Sequence, residues 1–232
     1  MEITTQKLPY DQSAIVVKRI ADWYLQKQGR EFKLDEDLKR LYRLLTLYFT
    51  NNQDFELQSL DTGSGRIPYS LKKGLLLIGP TGRSKTFCFE SVFRTFTQQY
   101  NQESRYRIVS SYTIQQAFEQ DGIKAVGTFR SGSRDSSPEN IYIDEIGAEL
   151  LSVNHFGNKQ NPVQSFLHER HRLFITSSCK IKTHASSNLV LNSTNNTGFN
   201  LKTFYGDRIY SRLFEMFNII ITNGKDLRIN LV

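Results

Sequence analysis

The chain has 232 residues, of which 38% are hydrophobic and 12% aromatic, and its formal net charge is +7 at pH 7. This length suits one α/β domain with a small appendage, and the apolar content is sufficient for a packed core. No apolar run approaches the roughly 18 residues that a membrane-spanning helix needs, so the sequence predicts no such helix and no membrane partner.

The cysteines and the beginning of the chain bear on its compartment. Cys88 and Cys179 are the only cysteines, and no metal-ligand spacing surrounds them. Met1–Tyr10 is polar and lacks the apolar stretch of a signal peptide. We therefore expect two reduced thiols in a cytoplasmic protein.

The positive charge is unevenly distributed along the chain. Residues 1–60 hold as many acidic as basic residues, so the whole excess of +7 belongs to residues 61–232. Such an excess is typical of proteins that bind a polyanion, DNA in particular, and it also occurs on ordinary solvated surfaces. The charge alone does not choose between these two interpretations.

Two helices are predicted near the beginning of the chain. From Ser13, apolar residues recur at helical spacing until Gly29. A second amphipathic pattern runs from Asp35 to about Asn51. The aromatic residues of this part are better explained by packing than by stacking on nucleic-acid bases.

A change of composition follows the second predicted helix. Asn51–Ser70 has the Gly, Ser, Asp and Pro content that is typical of a linker. The sequence thus predicts a helical module over residues 1–60, a linker over residues 61–72 and a core over residues 73–232.

A phosphate-binding loop is the strongest motif in the chain. Leu75–Ile78 is a short apolar run typical of a buried parallel strand, a glycine turn follows, and Lys85 and Thr86 open a predicted helix. This order matches G-x-x-x-x-G-K-[ST], in which backbone N–H groups, a lysine and a hydroxyl bind phosphates and Mg²⁺. The residues that we expect to bind the nucleotide are the consecutive Gly79, Pro80, Thr81, Gly82, Arg83, Ser84, Lys85 and Thr86.

The loop departs from this motif at one position. Ser84 stands where the motif has its second glycine. If this residue needs a positive φ, or must leave room for a phosphate, serine imposes strain on the order of 1 kcal/mol. Two interpretations stay open, a loop that hydrolyses nucleotide with a tolerated serine and a degenerate loop that binds weakly. A turn without any ligand is disfavoured by the flanking strand and helix.

A short acidic motif marks the end of a later strand. Before it, the sequence predicts the helix Thr86–Tyr100, the strand Arg107–Ser111, the helix Thr113–Glu119 and a polar stretch. The apolar run of IYIDEIG then ends in Asp144 and Glu145. Open α/β sheets bind ligands at the carboxyl ends of their strands. Asp144 suits the outer sphere of a Mg²⁺ held by Thr86, and Glu145 suits the orientation of an attacking water.

The remaining predicted elements complete a sheet and its helices. The helix Pro162–Phe174 carries His168, Glu169 and His171, whose spacing is not that of a metal-binding H-E-x-x-H motif. Asn188, near the end of the next predicted strand, is a candidate sensor of the γ-phosphate. The later elements are the strand Lys182–Leu189, the helix Leu201–Phe217 and the strand Asn218–Thr222.

With these motifs the chain resembles the DnaC/IstB-like helicase-loader ATPases of the AAA+ class, especially those of bacterial mobile elements and phages. The stretches that carry the resemblance are GLLLIGPTGRSKT, IYIDEIG, KTHASSNL and FYGDRIYSRLFEMFNIIITNGKDLR. The last is the most specific, because Y-G-D-R-x-x-S-R-L is long and unusual among phosphate-loop proteins. The resemblance covers roughly residues 73–230.

The resemblance implies a role for each matching residue. Glu145 would activate the attacking water and Asn188 would sense the γ-phosphate. Arg208 would be an arginine finger that completes the site of a neighbouring subunit, with Arg212 as the alternative. Lys85 would bind phosphate, and Thr86 and Asp144 would hold Mg²⁺. Arg228 would be a sensor-2-like arginine.

The predicted fold is a three-layer α/β P-loop NTPase core with a mostly parallel five-stranded sheet. The predicted function is Mg²⁺-dependent binding and hydrolysis of ATP, used to load or remodel a replicative helicase or a transposition complex on DNA. Single-stranded DNA, the helicase or transposase, and further copies of this chain are the expected partners. The alternative is a nucleotide-binding DNA adaptor with little hydrolysis.

Overall fold

The computed structural model describes residues 8–122, 138–191 and 199–227, together with Lys124. The chain divides into two compact units. The first comprises Met1–Leu71, Gly82–Tyr106 and Thr222–Val232, and the second comprises Lys72–Thr81 and Arg107–Ile221.

The strands are β1 (Ser59–Asp61), β2 (Arg66–Pro68), β3 (Gly74–Ile78), β4 (Arg107–Ser110), β5 (Ile141–Asp144), β6 (Val153–His155), β7 (Asn158–Gln160), β8 (Thr183–Ser187) and β9 (Phe217–Ile221). The helices are α1 (Tyr10–Gln26), α2 (Glu36–Phe49), α3 (Lys85–Phe87, continued by a π-helical segment Cys88–Phe93 and by Arg94–Tyr100), α4 (Ser111–Asp121), α5 (Pro162–Thr176) and α6 (Leu201–Met216).

A five-stranded sheet forms the centre of the second unit. Its strands lie in the order β4-β5-β8-β3-β9, and all four pairs are parallel. Every residue of β3 is buried, as expected for a strand with neighbours on both sides. Because parallel strands end at the same edge, the residues that follow β3, β5 and β8 lie along one edge of the sheet. The predicted α/β class and mostly parallel five-stranded sheet are confirmed.

Helices α4, α5 and α6 pack beside this sheet, and α5 contacts both of the others. The Asn161 side chain caps α5 by accepting from the Gln164 N–H at 2.8 Å, and Pro162 occupies its first turn. Asn200 and Thr203 form a reciprocal capping box at the start of α6. These local signals explain why the two helices begin where they do.

The first unit has a core of aromatic rings from α2, from α3 and from the segment that follows α2. Phe49 stacks on Phe93 with ring centroids 5.0 Å apart, and Phe55 stacks on Tyr69 at 5.2 Å. The Asp35 side chain caps α2 by accepting from the Leu38 N–H at 2.9 Å. The predicted packing role of the aromatic residues in this part of the chain agrees with these contacts.

The segment interpreted as a linker is more ordered than its composition suggests. It contains a 3₁₀ turn, Gln53–Phe55, and the antiparallel pair β1 and β2. Its Gly, Ser and Asp residues form the turn of this hairpin, while Leu60 and Phe55 are buried. The division of the chain at residues 60 and 72 stays a prediction.

The polar stretch before the acidic motif falls largely outside the described residues, which leave out most of residues 122–140 and also residues 192–198. Among the described helices, none is long and apolar enough to cross a membrane.

Candidate functional site

The predicted phosphate-binding loop leaves β3 at the carboxyl edge of the sheet. The Gly79 N–H donates to the Ser187 carbonyl oxygen at 3.2 Å, so the first loop residue is tied to the end of the neighbouring strand β8. Gly82 has a φ of 79°, in the region that favours glycine. The strand, the turn and the helix that the motif requires are therefore all present.

Ser84 has the backbone conformation that the motif reserves for glycine. Its φ and ψ are 60° and 10°, which is left-handed, and it immediately precedes the first residue of α3. A non-glycine residue in this region costs on the order of 1–3 kcal/mol, and it persists only where the surrounding structure holds it in place. The condition that the sequence left open, a positive φ at this position, is thus met.

Lys85 and Thr86 form the first turn of α3. Only 6% of Lys85 is exposed, whereas Thr86 is exposed. Unpaired N–H groups and the positive end of the helix dipole make the N-terminus of such a helix favourable for an anion. An ammonium group with little access to water also interacts more strongly with a phosphate than a solvated one does.

Asp144 is held by hydroxyl groups at the end of β5. The Tyr142 hydroxyl donates to Asp144 Oδ1 at 2.5 Å, and Ser186 Oγ lies 2.9 Å from the same oxygen. Ser186 Oγ also accepts from the Glu145 N–H at 3.1 Å. These contacts within the sheet fix the orientation of the carboxylate at the carboxyl edge, where open α/β sheets generally bind ligands.

Glu145 and Asn188 are brought into contact by the sheet. The Asn188 side-chain amide donates to Glu145 Oε1. Glu145 has a φ of 62°, and its backbone is held by Ser111, whose hydroxyl donates to the Glu145 carbonyl oxygen at 2.9 Å. A strained non-glycine residue held by its neighbours is a recurring feature of functional sites. The two residues predicted as water-activating base and γ-phosphate sensor are therefore adjacent.

The two candidate finger arginines differ in their surroundings. Arg208 is exposed on α6, two residues after Gly206, whose φ of 76° and ψ of 165° interrupt the helix. Arg212 is partly buried, and its guanidinium contacts His168 Nδ1 on α5. The pKa of His168 is lowered by burial and then by the charge of Arg212, so a neutral imidazole accepts this bond. Arg212 thus has a partner within its own chain, and Arg208 is the more accessible of the two.

Two other arginines complete the predicted set. The Arg83 side chain is buried and paired with the carboxylates of Asp35 and Asp37, so only its backbone suits a phosphate contact. Arg228, the predicted sensor-2-like residue, lies outside the described residues.

A buried carboxylate near the site was missed by the sequence analysis. Glu149, 5% exposed, accepts from the Tyr205 hydroxyl at 2.5 Å and from the Gly147 N–H at 2.8 Å. Burial raises the pKa of this carboxyl. A glutamate in a connecting segment is usually solvated, and nothing in the local sequence pattern distinguishes this one. Only the fold brings its partners together.

The oxygen donors of the predicted magnesium site fit the ion chemically. Among the described residues, no group of three or more His, Cys, Asp or Glu side chains could hold a metal ion by itself. Mg²⁺ bound with a nucleotide needs fewer protein ligands, because it retains waters and takes phosphate oxygens. The exposed Thr86 hydroxyl and the partly exposed Asp144 carboxylate are the hard oxygen groups that it prefers.

The sequence has no match to a protein-family model and no match among curated proteins. Among solved structures, the crystal structure of the DnaC helicase loader is similar, with a TM-score of 0.53 and 15% identity over 82% of this chain and 93% of that chain. The crystal structure of DnaI has a TM-score of 0.47 and 16% identity over 79% of this chain and 83% of that chain. At 15% identity, a similarity between two structures shows a shared fold and nothing more. The chain therefore has the P-loop NTPase fold of the DnaC helicase loader, which is the fold that the resemblance in its sequence implies.

Proposed function

We propose that this chain is an ATPase that loads or remodels a replicative helicase on DNA. The observation that carries the proposal is the contact between Glu145 and Asn188 at the carboxyl edge of a parallel sheet. In that sheet, β3 leads directly into a loop with the phosphate-binding sequence. A base and a polar sensor at this edge are what the hydrolysis of a nucleotide requires.

Binding of the nucleotide is assigned to the loop and the start of α3. The loop backbone and the first turn of α3 offer N–H groups to the phosphates, and Lys85 supplies a positive charge. Thr86 and Asp144 would hold Mg²⁺, which when bound neutralises charge on the phosphates. The left-handed Ser84 orients the loop just before Lys85.

Hydrolysis is assigned to Glu145. Its carboxylate would accept a hydrogen bond from the attacking water and orient it for in-line attack. The Asn188 amide donates to this carboxylate, so it can hold Glu145 in place. A phosphate that competes for the same amide would release Glu145, which makes Asn188 a sensor of the nucleotide. We assign Arg208, exposed after the break at Gly206, to the site of a neighbouring copy of this chain.

The partners follow from the fold likeness and the charge. The structurally similar protein is named as a helicase loader, and the net charge of +7 favours association with a polyanion. We therefore propose a replicative helicase and single-stranded DNA as partners. A transposition complex is the other partner that the resemblance in sequence implies.

A second candidate function is a nucleotide-binding DNA adaptor with little hydrolysis. The observation that favours it is the left-handed conformation of Ser84, where glycine would be unstrained. A strained loop can bind a nucleotide yet place its γ-phosphate poorly for attack.

The experiment that separates these functions measures ATP binding and ATP turnover with and without single-stranded DNA. An ATPase binds Mg-ATP and turns it over faster with DNA, and Glu145→Gln retains binding while losing hydrolysis. An adaptor binds Mg-ATP with negligible turnover in both proteins. Unchanged affinity in Lys85→Ala would show that the nucleotide site itself is wrongly assigned.

A further inference from the structure

The side chain of Arg83 is directed into the first unit and is 1% exposed. Its Nη1 lies 2.8 Å from Asp35 Oδ2 and its Nη2 lies 3.0 Å from Asp35 Oδ1, which is a bidentate pair. Such pairs fix the guanidinium in direction as well as in position. A residue in the middle of the predicted phosphate-binding loop is thus attached to a helix that is distant in sequence.

The carboxylates that hold Arg83 belong to the start of α2. Asp35 Oδ1 also caps α2 by accepting from the Leu38 N–H, and the pKa of Asp35 is lowered, mainly by its bond to Arg83. Asp37 Oδ2 accepts from Arg83 Nη2 at 3.3 Å and from the Asn223 N–H at 3.0 Å. The start of α2 therefore contacts both the loop and the segment after β9.

The segment after β9 also contacts the phosphate-binding loop. Arg83 Nη1 donates to the Lys225 carbonyl oxygen at 3.3 Å. Gly224 packs on the guanidinium so closely that a Cβ there would lie 2.9 Å from Arg83 Cζ. A Cβ on Gly82 would likewise lie 1.8 Å from Asp226 Oδ1. Gly82 and Arg83, the two residues before Ser84, are therefore held by side-chain and backbone contacts on several sides.

We propose that Arg83 is a positioning residue of the nucleotide site, and that its pair with Asp35 couples nucleotide affinity to helix α2. Arg83 immediately precedes Ser84, whose left-handed conformation persists only where its surroundings enforce it. The bidentate pair, in which the guanidinium is buried and Asp35 is 47% exposed, supplies that constraint. This inference rests on the proposed nucleotide binding and adds a way in which the N-terminal part of the chain regulates it.

The coupling acts in both directions. If the pair favours the loop conformation that binds nucleotide, bound nucleotide must favour the pair by the same free energy. A protein that binds the start of α2 and competes for Asp35 would then weaken nucleotide binding. Nucleotide binding would in turn protect the start of α2.

Asp35→Asn isolates the ion pair from the helix cap. Asparagine keeps an oxygen that can cap α2, because Asn and Asp are equally good N-cap residues. It removes the Asp35 charge and the bidentate pair, and it leaves the longer contact between Arg83 and Asp37 in place. Glu36→Gln is the matched control, since it makes the same charge change at the next residue, whose side chain is 89% exposed and pairs only with Lys39 among the described residues. Thermal denaturation of each variant checks that it is folded.

The measurement is the affinity for Mg-ADP and Mg-ATP by titration calorimetry, with amide hydrogen exchange of residues 82–86 in nucleotide-free protein. We expect Asp35→Asn to lose about five- to tenfold in affinity and to exchange faster in the loop, while Glu36→Gln matches the parent. Arg83→Lys, which keeps the charge without the bidentate geometry, should fall between them.

The outcomes separate the inference from the function on which it rests. If the parent binds nucleotide and Asp35→Asn binds it equally well with unchanged loop exchange, the coupling is wrong and the proposed function stands. If the parent binds no nucleotide, the proposed function fails. Amide hydrogen exchange of residues 82–86 in Asp35→Asn and in the parent then still decides whether the pair of Arg83 and Asp35 constrains the loop.

Discussion

The Tyr205 hydroxyl donates a 2.5 Å hydrogen bond to the Glu149 carboxylate, and both side chains are buried. The Glu149 carboxylate also accepts a hydrogen bond from the Gly147 N–H, in the turn that follows Glu145. Tyr205 immediately precedes the helix break at Gly206, and its carbonyl oxygen accepts from Gln164 at 2.8 Å. This bond therefore joins the turn after the acidic motif to the part of α6 that carries Arg208.

Tyr205→Phe should destabilise the protein by about 1–3 kcal/mol, because Glu149 stays buried and loses a donor. Urea denaturation of parent and variant measures the difference. Tyr210→Phe is the control, since Tyr210 lies on the same helix, is only partly buried and packs against Phe214. Equal shifts in both variants would show that the hydroxyl of Tyr205 contributes nothing specific.

The local part of the site is predictable from sequence. The apolar run of β3, the glycine turn and the Lys85-Thr86 pair are consecutive, so their order alone predicts strand, loop and helix. The same holds for β5, which ends at Asp144 before Glu145. The adjacency of Glu145 and Asn188 follows once both strands belong to one parallel sheet, because their carboxyl ends then coincide.

The contacts that support the site are not predictable in this way. Arg83 and Asp35 are 48 residues apart, and Tyr205 and Glu149 are 56 residues apart. Charged residues in loops are usually solvated, so no periodicity marks Arg83 and Glu149 as buried. The hairpin of β6 and β7 was missed for a related reason, since strands of three residues are too short to show an alternating pattern.

Ser84→Gly tests the strain in the phosphate-binding loop. Glycine adopts a φ of 60° without a side-chain penalty, so relief of about 1 kcal/mol should tighten Mg-ATP binding or raise turnover by about fivefold. Ser84→Ala is the control, because it removes the hydroxyl and keeps the penalty. A loss of both affinity and turnover in Ser84→Gly would show instead that serine is adapted to this site.

Acid should destabilise the sheet through His184. This residue of β8 is buried, and its Nδ1 accepts from the Leu75 N–H at 3.2 Å. Burial, followed by the charges of Lys182 and Arg170, lowers the pKa of His184 to about 3. Between the usual histidine pKa of about 6.5 and this value, the unfolded chain binds more protons than the folded one. Stability should therefore fall as the pH falls, by about 1.4 kcal/mol per pH unit from this group.

His184→Asn separates this effect from the titration of carboxyl groups. The asparagine oxygen replaces Nδ1 as an acceptor for Leu75 and cannot be protonated in this range. The free energy of unfolding, measured with urea from pH 7 to pH 5, should depend less steeply on pH in the variant. Identical slopes would show that His184 does not carry the pH dependence.

Arg208 provides the test of a shared site. A finger arginine acts on the nucleotide of a neighbouring subunit, so its loss should spare ATP binding and reduce hydrolysis by a factor on the order of 10³. Arg208→Ala should therefore bind Mg-ATP normally and hydrolyse it poorly, even with single-stranded DNA present. Arg172→Ala is the control, because Arg172 is an exposed arginine on α5 that pairs with Glu169.

Mixing Arg208→Ala with Lys85→Ala decides where the arginine acts. Subunits with Arg208→Ala keep an intact nucleotide pocket, and subunits with Lys85→Ala keep an intact finger. Mixed assemblies should therefore recover activity at interfaces that combine one of each, up to about a quarter of the parent level if assembly is random and all interfaces are independent. If the two variants co-assemble by mass measurement and the mixture stays inactive, Arg208 acts within its own subunit or only on the structure of α6. The arginine would then have no role in a site shared between copies.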